Sequence, residues 1–152
     1  MLKDYNAKDV KHITNEELLT CETDVLIPAA LENQITENIA PEVKATVIVE
    51  GANGSTTVEA DRILEKNGKK IVPDIRANAG GVIVSYFEWV QNIQSLMWDE
   101  DEVNRTLEKI IIRSFNGVWN EALRKNTTMR MGAYMVAIDR IVKAKKIRGI
   151  FP

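Results

Sequence analysis

A chain of 152 residues is long enough to bury one good core and too short for two large domains. Charged residues make up 28% of it, yet the formal net charge is only −2, so no strong field favours nucleic acid and no acidic tail is present. Small or neutral partners suit such a surface best.

Thr14-Asn15-Glu16-Glu17 has the form of a capping box and predicts a short helix through Leu19. Asp24 to Pro28 reads as a buried strand, Thr46 to Glu50 as a second and Lys70 to Pro73 as a shorter third, each apolar at its centre and ending at or just before Pro or Gly. Between the first two, Leu31 to Ala40 has the pattern of a short helix before Pro41. Between the second and third, Thr57 precedes a helix over Glu59 to Lys66 that Asn67-Gly68 stops. Strand, helix, strand, helix, strand implies a parallel sheet with right-handed crossovers. After Asn78 the pattern is wholly helical, in runs of about 80–97, 101–125 and 128–146. In the middle run Val103, Leu107, Ile110, Ile111 and Val118 form one apolar stripe, and Ile112, Phe115, Trp119 and Leu123 form a second. Both are read as core, although so broad a stripe also suits docking on something outside the chain. The fold class is therefore α/β: about three parallel strands over residues 1–78, then three long helices over 79–152.

Cys21 is the only cysteine, which excludes an intramolecular disulfide and suits a reducing cytoplasm. With His12 as the only histidine, no familiar zinc ligand set can be assembled, and its polar surroundings mark it as a surface residue. No apolar run approaches the ~20 residues that span a bilayer, and Leu2-Lys3-Asp4-Tyr5-Asn6 is too polar for a signal peptide. Lys143, Lys145, Lys146 and Arg148 read as a solvated helix end whose cations complement the dipole.

Two Gly-rich turns follow β-branched runs: Glu50-Gly51-Ala52-Asn53-Gly54, and Asn78-Ala79-Gly80-Gly81 directly before an apolar helix. Taken singly, each reads as a hinge or as a turn that needs positive φ. Together they point to one ligand site, because ligands of open parallel sheets collect at the carboxyl ends of the strands. The first N–H groups of the helix after Gly81 can accept an anion, and Ser85 falls on the face of Gly81 and Val82, where its hydroxyl can donate to the same ligand.

Pro28-Ala29-Ala30-Leu31-Glu32, Glu50 to Gly54 with Thr56-Thr57 and Glu59-Ala60-Asp61, Pro73-Asp74, and Asn78-Ala79-Gly80-Gly81 through Ser85-Tyr86-Phe87-Glu88-Trp89 together resemble the C-terminal part of the glutamate dehydrogenases. The resemblance runs from about Thr14 to Ile150. It implies the second half of a Rossmann-like doubly wound sheet, with Ala30 and Gln34 lining the adenosine-ribose side of NAD or NADP, Asn53 near the nicotinamide ribose and Asn78 beside the nicotinamide. Val82 and Ser85 match residues that touch the amino-acid substrate. Ser55 and Val58 stand where most members have Pro, and Ile83 where a threonine is common, changes expected to alter loop stiffness more than ligand contact.

No G-x-G-x-x-G follows a strand, and nothing matches the substrate domain that carries the family's lysines and aspartate. The resemblance therefore implies part of an enzyme for the reversible oxidative deamination of L-glutamate to 2-oxoglutarate and ammonia, with no catalytic residue in this chain, no turnover on its own, and a missing N-terminal part as partner. It also implies a homo-oligomer, hexameric in the parent family. A half-sheet with an open edge equally suits a non-catalytic binding or assembly module derived from that family.

Overall fold

The computed structural model describes Tyr5 and residues 7–149. Leu2, Lys3, Asp4 and Asn6 of the N-terminal segment read above lie outside the described residues, as does Ile150, where the resemblance ends. The capping box forms: Thr14 Oγ1 accepts from Glu17 N at 3.1 Å and Glu17 Oε2 accepts from Thr14 N at 2.7 Å, starting α1 (Asn15–Leu19). That backbone hydrogen bond, joined by the Thr14 hydroxyl, holds the exposed Glu17 carboxyl below its ordinary range.

Three parallel strands follow in the order β1 (Val25–Leu26), β2 (Val47–Val49) and β3 (Lys70–Val72). Leu26 lies opposite Ile48, and Ile48 opposite Ile71. The strands are shorter than the apolar runs, since Pro28 and Pro73 have no N–H to extend a ladder and Gly51 turns the chain.

Residues 31–39 depart from the helix expected there. Ile35 is fully buried and forms a bridge with Thr56, and the N–H groups of Asn33, Gln34 and Ile35 donate to Gly54 and Ser55 carbonyls at 2.8–2.9 Å. Pairing with the turn after β2 satisfies the backbone groups a helix would have used, and only a single 3₁₀ turn, Ala40–Glu42, remains.

The next helix, α2 (Val58–Lys66), starts where Thr57 Oγ1 accepts from Ala60 N and stops at Asn67 and Gly68. Its Ala60 and Leu64 bury against Leu19, Leu26, Ile35, Val43 and Ile48. Each large side chain so buried contributes roughly 1.5–3 kcal/mol.

Beyond β3, a short α3 (Asp74–Ala77) precedes α4 (Ala79–Gln94), with Asn78 as the bend between them. Gly80 and Gly81 are therefore helical residues within α4 and not a turn ahead of it. The bend has already been made at Asn78 (φ −98°, ψ 6°), so neither glycine needs positive φ. Helix α4 stops three residues before Met97, the end of the run read from sequence, because Ser95 turns left-handed and the Trp98 N–H is captured by Gln91 Oε1 at 2.7 Å. Then α5 (Glu100–Lys125), capped by Asp99, and α6 (Met129–Arg148), capped by Thr128, form an antiparallel hairpin through a left-handed Asn126.

The middle-helix stripes are core only in part. Val118 is buried, Phe115 and Trp119 are half-buried, and Ile110, Ile112 and Leu123 are exposed. His12 is exposed, and the cations that close α6 are solvated. Among the described residues no helix is long and apolar enough to cross a membrane, and no cluster of side chains could hold a metal.

Helices α5 and α6 pack tightly at Gly132, where an added Cβ would lie 3.0 Å from both Ala122 Cβ and the Val118 carbonyl oxygen. Gly117, on the exposed side of α5, would meet nothing within 4 Å. Urea unfolding should therefore give opposite signs for one chemical change: Gly132→Ala loses ~1–3 kcal/mol through overpacking, and Gly117→Ala gains up to ~1 kcal/mol of helix propensity. Equal effects would contradict this account of the hairpin.

Candidate functional site at the carboxyl ends of the strands

All three strands end on one side of the sheet, and their following loops are tied to one another there. Ala52 N donates to the Pro28 carbonyl at 2.9 Å, and the α-carbon of Gly51 faces Ala29 so closely that a Cβ would sit 3.0 Å from the Ala29 Cβ. Gly54 takes φ 59°, the left-handed conformation that glycine adopts without strain, and its carbonyl accepts from Asn33. The loops after β1 and β2 thus form one surface.

The loop after β3 joins it through side chains. Asn78 Nδ2 donates to Asn53 Oδ1 at 2.6 Å and approaches the Gly51 carbonyl at 3.4 Å. Of the site residues predicted from sequence, Asn53 and Asn78 are the two brought into direct contact. Ala30 is exposed on the loop after β1. Gln34 is half-buried a few residues on, its Nε2 donating to the Glu32 carbonyl and its Oε1 accepting from Asn15 Nδ2, each at 2.9 Å.

Val82 and Ser85 lie on the first turns of α4, both exposed. The Ser85 hydroxyl donates to the Val82 carbonyl at 2.9 Å, a local bond within the helix that a ligand oxygen can replace by rotation about one side-chain torsion. The apolar stripe Val82, Tyr86, Trp89 and Ile93 stays open to solvent.

Behind these loops lies a charged centre that sequence reading missed. Arg130, at the start of α6, donates through Nη2 to both Glu50 oxygens at 2.8 and 2.9 Å, through Nε to Asp61 Oδ2 at 3.1 Å, and through Nη1 to Asp74 Oδ1 at 3.4 Å. Burial alone would lower the pKa of the guanidinium. The hydrogen bonds and charges of Asp61 and Glu50 outweigh it, so the net shift is upward and Arg130 stays protonated. Glu50 is 1% exposed. Two of the carboxylates also hold backbone: Glu50 Oε2 accepts from Asp74 N, and Asp74 Oδ2 accepts from Gly54 N, both at 2.8 Å.

Among the described residues three buried polar atoms lack a partner: Arg76 Nε, Ser55 Oγ and Thr56 Oγ1. Arg76 of α3 is 6% exposed and donates through Nη2 to the Ile111 carbonyl of α5, while its Nε has no partner. Burial lowers its pKa. Ser55, where the resembling family has Pro, is fully buried and its hydroxyl also lacks a partner. Away from the strand tips, α2, β3 and the α5–α6 turn border a cleft of about 230 Å³ whose lining includes Asp61, Glu65, Lys70, Trp119, Met129 and Arg130.

Three parallel strands followed by long helices make the chain an α/β protein with the second half of a Rossmann-like sheet. The family model of the Glutamate/Leucine/Phenylalanine/Valine dehydrogenases matches residues 1–149, and the chain belongs to that family. It is 54% identical over 142 residues to the glutamate dehydrogenase of Thermotoga maritima, a match covering 93% of this chain and 34% of that one. It is 49% identical over 137 residues to the cryptic catabolic NAD-specific glutamate dehydrogenase of Bacillus subtilis, covering 90% of this chain and 32% of that one. Among solved structures, the hetero-hexameric glutamate dehydrogenase of Thermus thermophilus in its Leu-bound form superposes with a TM-score of 0.89 at 32% identity, over 99% of this chain and 36% of that one. The enzyme of Peptoniphilus asaccharolyticus superposes with a TM-score of 0.79 at 44% identity, over 82% and 32%. The chain spans about a third of the length of the relatives it matches.

A buried guanidinium with an unpartnered Nε and no carboxylate costs more than an apolar side chain of similar length. Arg76→Met should therefore leave stability unchanged or raise it by ~1–2 kcal/mol in urea unfolding. A loss of that size would mean that the bond to Ile111 outweighs the burial of the charge.

Proposed function

We propose that this chain is the cofactor- and substrate-facing part of an NAD-dependent glutamate dehydrogenase, with NADP as the alternative cofactor, catalysing the reversible oxidative deamination of L-glutamate to 2-oxoglutarate and ammonia. One observation carries the reading: the Asn53–Asn78 pair at the strand ends. With Asn78 Nδ2 committed to Asn53 Oδ1, the pair still offers the Asn53 side-chain N–H groups as donors and Asn78 Oδ1 as an acceptor. A carboxamide such as that of nicotinamide needs one of each. The NAD-specific names of relatives from Bacillus subtilis and Clostridioides difficile favour NAD over NADP.

When bound, the nicotinamide accepts or returns the hydride. The residues of this chain bind and orient. Ala30 and Gln34 face the adenosine-ribose side, where the uncharged Gln34 amide suits a ribose hydroxyl. Asn53 and Asn78 fix the carboxamide. Val82 packs against the substrate carbon chain, and the Ser85 hydroxyl turns from the Val82 carbonyl to donate to the distal carboxylate of glutamate. The open stripe Val82, Tyr86, Trp89 and Ile93 suits cover by the rest of a glutamate dehydrogenase subunit, which would supply the proton-transfer groups. The lone Cys21 fits a cytoplasmic setting, and the hetero-hexameric Thermus relative makes a hexamer the assembly to expect.

The chain alone should bind NADH without turning it over. In an assay with NADH, 2-oxoglutarate and ammonium, the rate should equal the blank, and Asn78→Ala should weaken NADH binding about tenfold by removing one side of the carboxamide contact. Substantial turnover by the pure chain, or NADH binding indifferent to Asn78, would overturn the reading.

A further inference from the structure

We infer that Arg130 is a positioning residue for the cofactor site, holding the Asn53–Asn78 pair in register through Glu50 and Asp74. A guanidinium that served only to staple α6 to the sheet would need one carboxylate. Here it holds three, and two of them also accept from the loops of the site: Glu50 Oε2, shared with Arg130, from the Asp74 N–H, which begins the segment ending in Asn78, and Asp74 Oδ2, the oxygen that Arg130 leaves free, from the Gly54 N–H, next to Asn53. The route from Arg130 to each asparagine is therefore a short run of hydrogen bonds plus a rigid turn of backbone. Asp61 differs, since its two oxygens both face Arg130 and tie it to α2 without touching either loop.

Without the cation, three carboxylates gathered in one partly buried place repel one another and must spread. The spread moves Gly54 and Asp74, and Asn53 and Asn78 with them. Lysine cannot replace the arginine, because one ammonium cannot reach the three directions that the planar fork reaches. Arg130 is the second residue of α6, just after the tight α5–α6 turn, so a shift of that hairpin reaches the cofactor loops by the same route. The geometry stands by itself, while its consequence for NADH rests on the function proposed above.

The test compares Arg130→Lys with Val118→Ala, a core change in the same hairpin outside the network. Amide exchange at Gly54 and Asp74, the Asn78 side-chain amide signals and NADH affinity would be measured in each. Arg130→Lys should speed exchange at both amides about tenfold beyond Val118→Ala, merge the Asn78 signals toward those of a free amide, and weaken NADH about tenfold. Should Arg130→Lys not fold, Glu50→Gln should give the same pattern in weaker form, and Asp61→Asn should leave Gly54 and Asp74 protected. Exchange at Gly54 and Asp74 no faster in Arg130→Lys than in Val118→Ala, or equal loosening by Asp61→Asn, would overturn the inference. Loosened amides in a chain whose unaltered form binds no NADH would instead count against the cofactor reading and support the positioning role.

Discussion

Three carboxylates from three separate elements, Glu50 after β2, Asp61 in α2 and Asp74 in α3, share the single guanidinium of Arg130. Glu50 is the fully buried member, and deleting one partner of a buried ion pair typically costs ~3–5 kcal/mol because the charge left behind stays desolvated, whereas Asp61 and Asp74 keep partial contact with water and cost less to remove. That constraint sets where α6 can lie against the sheet. With α6 placed, the α5–α6 hairpin closes over β3, and Val118, Met129 and Ala133 meet Val72 beneath it. The apolar core under α2 would form without Arg130. The seat of the helical half on the sheet would not be defined in the same way.

The same charges connect stability to the site. In an open parallel sheet the strand ends face solvent, and loops there are free to move unless something behind them holds on. Here the holding groups are carboxylate oxygens acting on the N–H groups of Gly54 and Asp74, and the side-chain amides of the exposed Asn53 and the half-buried Asn78 sit one layer further out. A rigid inner layer of charge supporting an outer layer of neutral donors and acceptors suits a ligand that must be oriented without being trapped by ionic attraction.

Local chemistry was legible in the sequence, and distant pairing was not. The Thr14 box and the Thr57 cap need only their own neighbours, so both were read from a few letters and both form. The three strand centres were plain from β-branched runs between turn residues. Residues 31–39 carry a helical pattern but extend instead, since their partners, Gly54 and Ser55, lie about twenty positions away. The Gly80-Gly81 pair looked like the turn, whereas Asn78 makes the bend and α3 before it went unnoticed behind Pro73. Arg130 meets its acids across separations of 56 to 80 residues, which no local pattern reveals. Glu50, Asp61 and Asp74 were visible as parts of family-like motifs, yet nothing near them in the chain hints at a shared cation.

The most direct measurement is an NMR titration of the chain with NADH, following backbone and side-chain amides together. The account predicts that the largest shifts fall on Ala30, Gln34, Asn53 and Asn78, on the loops at the carboxyl ends of the three strands. Shifts confined to Glu65, Lys70 and Trp119, in the cleft that Arg130 also lines, with those four residues unmoved, would contradict it.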